Sequence, residues 1–334
     1  MRVLVTGAAG FIGNQVFRQL IDSSHEVIGI DNFNPYYFPG YKSVRSQTGA
    51  NDRLLNVDIR DLESVQALFK KYKFQKVIHL AAQAGVRYST ENPNLYFETN
   101  VVGTHNIFMT SVANNVDQVA YASSSSVYGE SLGPFKESQE LRQPKSFYAA
   151  TKQVNEILAQ ALSTKTEFLG LRFFTVYGPW GRPDMAPLRF ALQVAENRGI
   201  TLNGDGSIVR DFTYIDDVVT SILKLISLDT FASVPVVNIA GGNPRSINDL
   251  VTLLSNHYER SHPVETFPAD SADVSLTHGN PDLLRSMIRY VPDTQLEDGV
   301  EQLWEHASSL DHEIRRAVLD FKLPNAQDFS LKTS

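Results

Sequence analysis

A tyrosine and a lysine four residues apart are the pair in this sequence best suited to move a proton. Tyr148 and Lys152 stand at the ends of YAATK, in a helical pattern that puts both side chains on one face. A phenol has a pKa of about 10 and is a poor base at neutral pH, but a neighbouring ammonium stabilises the phenolate. The spacing predicts a proton shuttle for an alcohol undergoing oxidation. A solvated lysine beside a half-buried tyrosine has the same spacing, so the surroundings must decide.

Four consecutive serines precede this helix in ASSSSVYG (122–129), with no carboxylate among them. The serines begin at the last residue of QVAYAS (118–123), an apolar segment whose pattern predicts a buried strand. Ligands in open α/β sheets bind just outside the carboxyl ends of strands. Hydroxyls at such a place can hold a substrate alcohol beside a phenolate without adding charge. Strand ends also use serines for local turn bonds, and we expect that role for two of the four.

A glycine turn between the first strand and the first helix predicts a phosphate site. VTGAAGFIG places Gly7, Gly10 and Gly13 where a phosphate can approach backbone N–H groups at a helix N-terminus. Such a turn can also serve packing alone. Asp31 ends the second strand, where a carboxylate accepts bonds from ribose hydroxyls and repels a 2′-phosphate, so NAD is favoured over NADP. Asp58 follows the third strand and either faces the adenine or caps the next helix; both interpretations stay open.

The composition fits a globular enzyme and excludes several functions. The 334 residues are 42% hydrophobic and 20% charged, and the net charge of −7 gives no reason to expect a nucleic-acid partner. Without cysteine there are no disulfides, thiolate metal sites or cysteine nucleophiles. The histidines lack ligand spacing, so we expect no metal. Serine-hydrolase and P-loop motifs are absent. With neither a membrane-length apolar run nor a leader before RVLVTG, we expect a cytoplasmic protein that does not bind membranes.

Short apolar runs alternate with helical patterns in the first half of the chain, which predicts βαβ units and a parallel sheet. The strands are expected at 2–6, 26–30, 76–81, 118–123 and 167–172. The helices are expected at 11–21, at 61–72 and, as one long helix, within 93–114. After about residue 175 the rhythm loosens into segments rich in Pro and Gly. The predicted fold class is therefore α/β, a Rossmann-type doubly wound parallel sheet with a smaller mixed α/β C-terminal substrate domain.

Together these motifs resemble the extended branch of the short-chain dehydrogenase/reductase superfamily, the NAD-dependent nucleotide-sugar epimerases and dehydratases. The resemblance rests on the glycine pattern, Asp31, HLAA (79–82), NVVGTHN (100–106), the serine run and YAATK, and it extends to about residue 310. It implies catalytic roles for Ser124, Tyr148 and Lys152. It also implies NAD as the cofactor, with a binding set that comprises Gly7, Gly10, Phe11, Ile12, Gly13, Asp31, Asn32, Asp58, Ile59, Leu80, Ala81, Ala82, Asn100, Tyr148 and Lys152.

The resemblance also gives the two expected domains a function. Residues 1–175 would form the NAD-binding domain, with a return to it at about 211–243. Residues 176–210 and 244–312 would bind the nucleotide sugar. Residues 313–334 are polar and terminal, and we expect a tail with partial order at best.

The serine run bears on the reaction. Dehydratases of this family carry an Asp-Glu pair there, because elimination of water needs a base and an acid, and the UDP-glucuronate decarboxylases carry a glutamate before VYG. This chain has Ser125 and Ser126 instead. LRFFTVYGPWGRPDMAP (171–187) is similar to the matching segment of UDP-glucuronate 4-epimerases. The resemblance thus implies a UDP-sugar substrate whose carboxylate is held by Ser125, Ser126, Thr175 and Arg182. Arg182 has a second interpretation, as a loop arginine paired with Asp184.

Further basic residues match the family's substrate-binding positions. Arg210, in GDGSIVRDFTYIDD (204–217), is expected to bind the diphosphate, since a guanidinium matches phosphate oxygens. Arg87 and Arg189 are also expected near the substrate, as are Ser124 and Tyr148. Asp273 matches the acid expected near the uridine ribose, although Ala272 replaces the usual glycine beside it.

These observations favour 4-epimerisation of UDP-glucuronate to UDP-galacturonate. The alternatives on the same scaffold are a UDP-glucose/UDP-galactose 4-epimerase and a UDP-glucuronate decarboxylase. A non-catalytic NAD-binding protein would not need Ser124, Tyr148 and Lys152 together. The resemblance also implies a homodimer, formed through helices at about 92–114 and 146–162.

Overall fold

A computed structural model describes residues 1–23, 25–46, 52–163, 165–257, 263–268 and 274–322. The strands are β1 (Arg2–Thr6), β2 (Glu26–Asp31), β3 (Leu54–Asn56), β4 (Lys76–His79), β5 (Gln118–Ser124), β6 (Glu167–Phe173), β7 (Thr175–Tyr177), β8 (Ile200–Asn203), β9 (Val209–Tyr214), β10 (Val236–Ile239), β11 (Pro244–Ser246) and β12 (Val264–Phe267). The α-helices are α1 (Phe11–Asp22), α2 (Pro39–Ser46), α3 (Leu62–Tyr72), α4 (Tyr88–Glu91), α5 (Pro93–Tyr96), α6 (Thr104–Ala113), α7 (Phe147–Leu162), α8 (Ala186–Ala195), α9 (Ile215–Ile226), α10 (Ile247–Ser255), α11 (Asp282–Ile288), α12 (Leu296–Ser309) and α13 (His312–Leu319).

Seven parallel strands form the central sheet, in the order β10-β6-β5-β4-β1-β2-β3. The predicted doubly wound Rossmann-type sheet is confirmed, and the five strands expected from the apolar runs all belong to it. The chain runs outward from β1 to β3 and then crosses back to β4 on the other side of β1. This reversal opens a crevice at the carboxyl ends of β1 and β4, which is where such sheets bind ligands.

Two apolar cores cover the two faces of this sheet. One joins α1 and α9 to the sheet and continues into α8, α10 and α12, and the other lies beneath α3, α6 and α7. The strands are continuously apolar because both of their faces are buried.

The helix predicted within 93–114 is one continuous helical run from Pro93 to Ala113. Its middle, Phe97–Gly103, winds as a π-helix, which the sequence pattern does not indicate. The wider turn buries Thr99, Asn100 and Gly103. Single π-turns of this kind occur often at functional sites.

The chain after β6 builds two small sheets beside the large one. One has the order β11-β9-β7, and the other pairs β12 with β8. Strand β10 lies within the segment for which we predict a return, and it pairs with β6 in the large sheet. The exact domain boundaries stay a prediction.

The C-terminal segment corrects one expectation. Residues 312–319 are not a loosely ordered tail but helix α13, because Asp311 caps its first turn and Val318 packs into the core. The Arg315 guanidinium donates a hydrogen bond of 2.6 Å to Glu196, which follows α8. The segment 323–334 lies outside the described residues.

Candidate active site

The glycine turn lies at the crevice between β1 and β4. Gly7 has a φ of +70°, and a Cβ there would come within 2.8 Å of the Ala81 nitrogen, so the turn packs directly against the residues after β4. The Gly10 N–H donates to the Gly7 carbonyl at 2.8 Å, and Gly10 is the N-cap of α1. A Cβ added at Gly13 would overlap the Gly7 carbonyl oxygen, so no side chain fits there. The close approach of this backbone to the N-terminus of α1 is the geometry that a pyrophosphate needs.

Asp31 ends β2 beside this turn, as predicted, and its carboxylate already has three partners. Oδ2 accepts from the Ala9 N–H at 3.1 Å, and Oδ1 accepts from the Phe33 N–H at 2.8 Å. The third partner is Lys42 of α2, whose Nζ lies 2.7 Å from Oδ1. Sequence reasoning missed Lys42, because nothing in its local pattern distinguishes it from a surface lysine.

Asp58 does not cap the helix that follows it. Its carboxylate accepts from the Arg60 guanidinium, at 2.7 Å for Nη2, and from Asn32 Nδ2 at 3.0 Å. The N-cap of α3 is Asp61, which accepts from the Ser64 N–H. Burial raises the pKa of Asp58, but the hydrogen bonds from Arg60 and Asn32 outweigh it and leave the pKa below its usual value. Asp58 does not line the central cavity, so its predicted contact with adenine stays a prediction.

Tyr148 and Lys152 lie together on the inner face of α7. The Lys152 Nζ is 5.7 Å from the centroid of the Tyr148 ring and donates to the Ala122 carbonyl at 2.8 Å. Both side chains are buried. Burial lowers the pKa of Lys152 to about 7, against an opposing effect of Glu156. Burial also raises the pKa of Tyr148, and Arg182 and the Ser124 hydroxyl partly oppose this.

The hydroxyls of the serine run make bonds within the fold and also reach Tyr148. Ser123 is buried and donates to Glu156 Oε1 at 2.5 Å. Ser124 caps the short 3₁₀-helix Ser125–Tyr128, since its Oγ accepts from the Ser126 N–H at 3.2 Å. The Ser124 hydroxyl also acts on Tyr148 as a hydrogen-bond partner. The run thus serves local structure and the tyrosine at once.

One cavity of about 890 Å³ connects the glycine turn to the serine run and continues to Arg210. It is lined by most of the predicted residues: Gly7, Gly10, Phe11, Ile12, Gly13, Asp31, Asn32, Ile59, Leu80, Ala81, Ala82, Arg87, Ser124, Ser125, Ser126, Tyr148, Lys152, Thr175, Arg182, Arg189 and Arg210. Asn100 is not among the lining residues. Its side chain instead holds the Gln83 backbone, accepting from the N–H at 2.8 Å and donating to the carbonyl at 2.9 Å.

The cavity fits NAD from one end to the other. The glycine turn provides backbone donors for a pyrophosphate, and Asp31 lies where a ribose would bind. Tyr148 and Lys152 line the same cavity, as do Leu80 and Ala81. The glycine turn would hold the pyrophosphate, Asp31 the adenosine ribose, and Tyr148 and Lys152 the nicotinamide end.

Arg182 lines the cavity and is also paired with Asp184, as its second interpretation predicts. Its Nη2 and Nε lie 2.6 and 3.2 Å from the two Asp184 oxygens, and its Nη1 donates to the Ala84 carbonyl at 3.2 Å. Tyr36 donates to Asp184 at 3.3 Å. Sequence reasoning named Asp184 only as a structural partner and missed Tyr36, which reaches the site from the loop after β2.

The other predicted arginines also line the cavity. Arg87 and Arg189 both line it, and burial together with the charge of Arg87 lowers the pKa of Arg189. The Asn203 carboxamide oxygen, in the orientation that suits both groups, accepts from Arg87 at 2.5 and 3.3 Å. Arg210 lines the same cavity. Guanidinium groups that line one cavity suit a diphosphate. Asp273 lies outside the described residues.

Among the residues that the structure describes, no group of three or more His, Asp or Glu side chains is placed to hold a metal ion. No helix that these described residues form is long and apolar enough to cross a membrane.

The sheet, the glycine turn and the Ser-Tyr-Lys group define an NAD-dependent enzyme of the extended short-chain dehydrogenase/reductase type. Residues 3–240 match the model of the NAD dependent epimerase/dehydratase family, and the chain belongs to that family.

Named relatives agree with this assignment. UDP-glucuronate 4-epimerase 4 of Arabidopsis thaliana is 39% identical over 323 residues, which cover 90% of this chain and 74% of that protein. The crystal structure of UDP-glucuronic acid 4-epimerase from Bacillus cereus, in complex with UDP-glucuronic acid and NAD, is 31% identical with a TM-score of 0.86, and the match covers 92% of this chain and 99% of that one. UDP-glucose 4-epimerase of Thermotoga maritima, solved with UDP-glucose, is 27% identical with a TM-score of 0.83, covering 92% and 98% of the chains.

Proposed function

We propose that this protein is a UDP-glucuronate 4-epimerase that forms UDP-galacturonate by oxidation at C4, rotation of the 4-keto intermediate and re-reduction. The observation that carries the proposal is the end of the cavity beside Tyr148. Ser124, Ser125, Ser126 and Thr175 line the same cavity as Arg182, and Arg182 and the Ser124 hydroxyl both act on Tyr148. The names of the relatives and the sugar bound to the Bacillus cereus structure support the same substrate.

Each residue of the catalytic group has a separate task. Bound NAD supplies the reversible two-electron oxidation of the sugar alcohol. Tyr148 accepts the proton of the C4 hydroxyl and later returns one. Lys152 stabilises the phenolate by its charge, and Ser124 orients the alcohol and the phenol through its hydroxyl. Because Tyr148 is buried and its pKa is raised, the positive charges beside it decide how readily it accepts the proton.

The sugar carboxylate must be restrained as well as bound. A 4-keto uronic acid is a β-keto acid and loses CO2 when its C–COO bond stands perpendicular to the carbonyl plane. Hydroxyls of Ser125, Ser126 and Thr175 would keep that bond near the plane, and such positioning is worth several kcal/mol, on the order of the effects measured for oriented reactants. Residues 122–129 contain no carboxylate to act as the additional base or acid of a dehydratase or decarboxylase.

The deciding experiment is NMR of the product formed from UDP-glucuronate by the purified protein without added cofactor. We expect UDP-galacturonate and no release of CO2. A pentose product with CO2 would identify a decarboxylase, and an unchanged substrate would contradict the proposal.

A second candidate, UDP-glucose/UDP-galactose 4-epimerase, is favoured by the Asp184 contact. The carboxylate of Asp184 neutralises Arg182 at 2.6 Å, so this end of the cavity also suits an uncharged hexose. The same assay with UDP-glucose distinguishes the two candidates by the ratio of their kcat/KM values.

We further propose that the protein is a cytoplasmic homodimer. The location rests on the sequence, in which no apolar run reaches the length of a membrane span. The dimer is supported by apolar side chains exposed on the helical run 93–113 and on α7, namely Phe97, Val102, Met109, Phe147, Val154 and Ile157. Contiguous exposed apolar surface of this kind marks an interaction site.

A further inference from the structure

Glu156 lies one helical turn beyond Lys152 on α7, and the mechanism above gives it no task. Its carboxylate joins three elements of the fold. Oε1 accepts from Ser123 Oγ at 2.5 Å and from Arg172 Nε at 2.9 Å, and Oε2 accepts from Arg172 Nη2 at 2.8 Å. Both side chains of the ion pair are only 4% exposed. A pair buried this deeply contributes little to stability, because the cost of removing both charges from water offsets their attraction. Stability alone therefore does not explain why Glu156 is there.

The neighbours of Glu156 connect it to the catalytic group. Ser123 directly precedes Ser124 at the carboxyl end of β5, so the bond from Ser123 ties this strand end to α7. A second bond between the same two elements runs from Lys152 Nζ to the Ala122 carbonyl. Arg172 extends the connection to β6, the next strand of the sheet. These polar contacts therefore help to fix the separation of the hydroxyl on β5 from the phenol on α7.

We propose that Glu156 is a positioning residue for the catalytic group: it holds α7, which carries Tyr148, against the end of β5, which carries Ser124. A displacement of about 1 Å between reacting groups can cost about a hundredfold in rate, so such a restraint has a measurable effect. The kinetic part of this inference rests on the proposed function.

The carboxylate also acts through its charge. The charged and titratable groups packed around Lys152 are Tyr148 and Glu156 on α7, His79 on β4, and Arg172 on β6 behind Glu156. Burial and the charge of Lys152 lower the pKa of His79 to about 3, so it is neutral at physiological pH. The negative charge of Glu156 raises the pKa of Lys152 and so opposes the effect of burial, which lowers it. Without Glu156, Lys152 would lose its proton at a lower pH.

The first test removes one contact and leaves the buried ion pair intact. Ser123→Ala should lower kcat about tenfold with KM for UDP-glucuronate within twofold, because the alignment of Tyr148 and not substrate binding is disturbed. Ser221→Ala is the control, since its buried hydroxyl donates a hydrogen bond of 2.8 Å to the Asp217 carbonyl within α9, no residue of which lines the cavity. An equal fall of kcat in both variants would overturn the positioning role.

The second test removes the charge. Glu156→Gln should move the high-pH limb of the kcat profile, where Lys152 loses its proton, about one pH unit lower. Glu196→Gln is the control, because Glu196 is an equally buried partner of an arginine, Arg315 at 2.6 Å, but lies beside α13. An unchanged limb in Glu156→Gln would contradict the inference. If that variant does not fold, Ser123→Ala decides alone.

A readout without substrate separates this inference from the proposed function. The Cε resonance of Lys152, assigned in ¹³C-lysine-labelled protein by comparison with Lys152→Arg, reports its protonation directly. We expect its titration midpoint to fall by about one pH unit in Glu156→Gln and to stay in place in Glu196→Gln. Equal midpoints in wild type and Glu156→Gln would overturn the electrostatic part, whatever sugar the enzyme uses.

Discussion

The Lys152 Nζ lies 5.7 Å from the centroid of the Tyr148 ring, and both side chains are buried beneath the serine run. The protein thus keeps an ammonium group in a place where burial lowers its pKa to about 7. The unfolded chain has no such burial, so its lysine keeps a pKa of about 10.4. Between these two values the unfolded state binds more protons than the folded state. The contribution of Lys152 to stability therefore improves as the pH rises from 7 towards 10 and is least favourable below 7.

This relationship predicts that Lys152→Met is inactive but more stable than wild type at pH 7. Replacing a buried charge by an apolar side chain of similar size should raise the free energy of unfolding by about 1 kcal/mol or more. Denaturant unfolding at pH 7, 8 and 9 checks this. The advantage of the variant should shrink as the pH rises, and an advantage that is constant with pH would contradict the assigned cause.

A second prediction concerns the choice between NAD and NADP. Asp31 binds the Lys42 ammonium at 2.7 Å, so the two charges at the ribose end balance each other. Asp31→Ser removes the carboxylate that repels a 2′-phosphate and leaves Lys42 available to bind one. We expect the Kd for NADP⁺ to fall about tenfold and that for NAD⁺ to rise, as a charge-assisted contact replaces a repulsion.

Calorimetric titration of cofactor-free protein measures both constants. Asp31→Ser combined with Lys42→Met is the control, since it removes the repulsion without leaving a cation. If both variants gain the same affinity for NADP⁺, Lys42 has no part in it.

A third prediction follows from the contact between Arg182 and Asp184. Asp184→Asn keeps the shape of the side chain but removes the negative charge 2.6 Å from the guanidinium. We expect the preference for UDP-glucuronate over UDP-glucose, measured as the ratio of kcat/KM values, to rise about fivefold because the cation is no longer neutralised.

Arg182→Ala should change the same ratio in the opposite direction. Asp184→Asn in the Arg182→Ala background should then have little further effect on it. An independent effect of Asp184 in that background would show that it does not act through Arg182.

The parts of the site that the sequence predicts are those in which the signal is local. The turn at Gly7 and the pair Tyr148 and Lys152 each lie within one short segment, and their spacing alone implies their geometry. Lys42 and Tyr36 carry no such signal, because they reach the site only after the loop beyond β2 folds back over it. Their contacts depend on tertiary packing and not on local pattern.

Asn100 shows a structural task that its motif does not indicate. The resemblance places it with the cofactor, which stays a prediction, and the structure buries it in the π-helical turn from Phe97 to Gly103. There it binds the Gln83 backbone and donates to the Thr151 hydroxyl at 3.1 Å. A sequence reading that assumes 3.6 residues per turn cannot foresee this wider turn.

A fourth prediction concerns the uronate. Thr175 begins β7 and lines the cavity with Ser125 and Arg182. Thr175→Ala should remove one restraint on the sugar carboxylate and raise the share of decarboxylated pentose about tenfold, since orientation controls the loss of CO2. Product analysis by NMR measures that share. Product ratios equal to those of wild type would exclude this role for Thr175.

A final prediction concerns the exposed apolar stripe on α7. Phe147, Val154 and Ile157 fall on one side of the helix, and Ile157 is 65% exposed. If this side packs against a second copy of the chain, Ile157→Glu would bury a carboxylate without a partner, which costs several kcal/mol, about enough to dissociate a modest interface. Sedimentation velocity should then give a dimer for wild type and a monomer for the variant. Leu132→Glu is the control, because Leu132 is 90% exposed in the loop before α7 and does not lie on the stripe. The same mass for wild type and Ile157→Glu would exclude this surface as the dimer interface. A monomer produced by both variants would show that dissociation is not specific to this stripe.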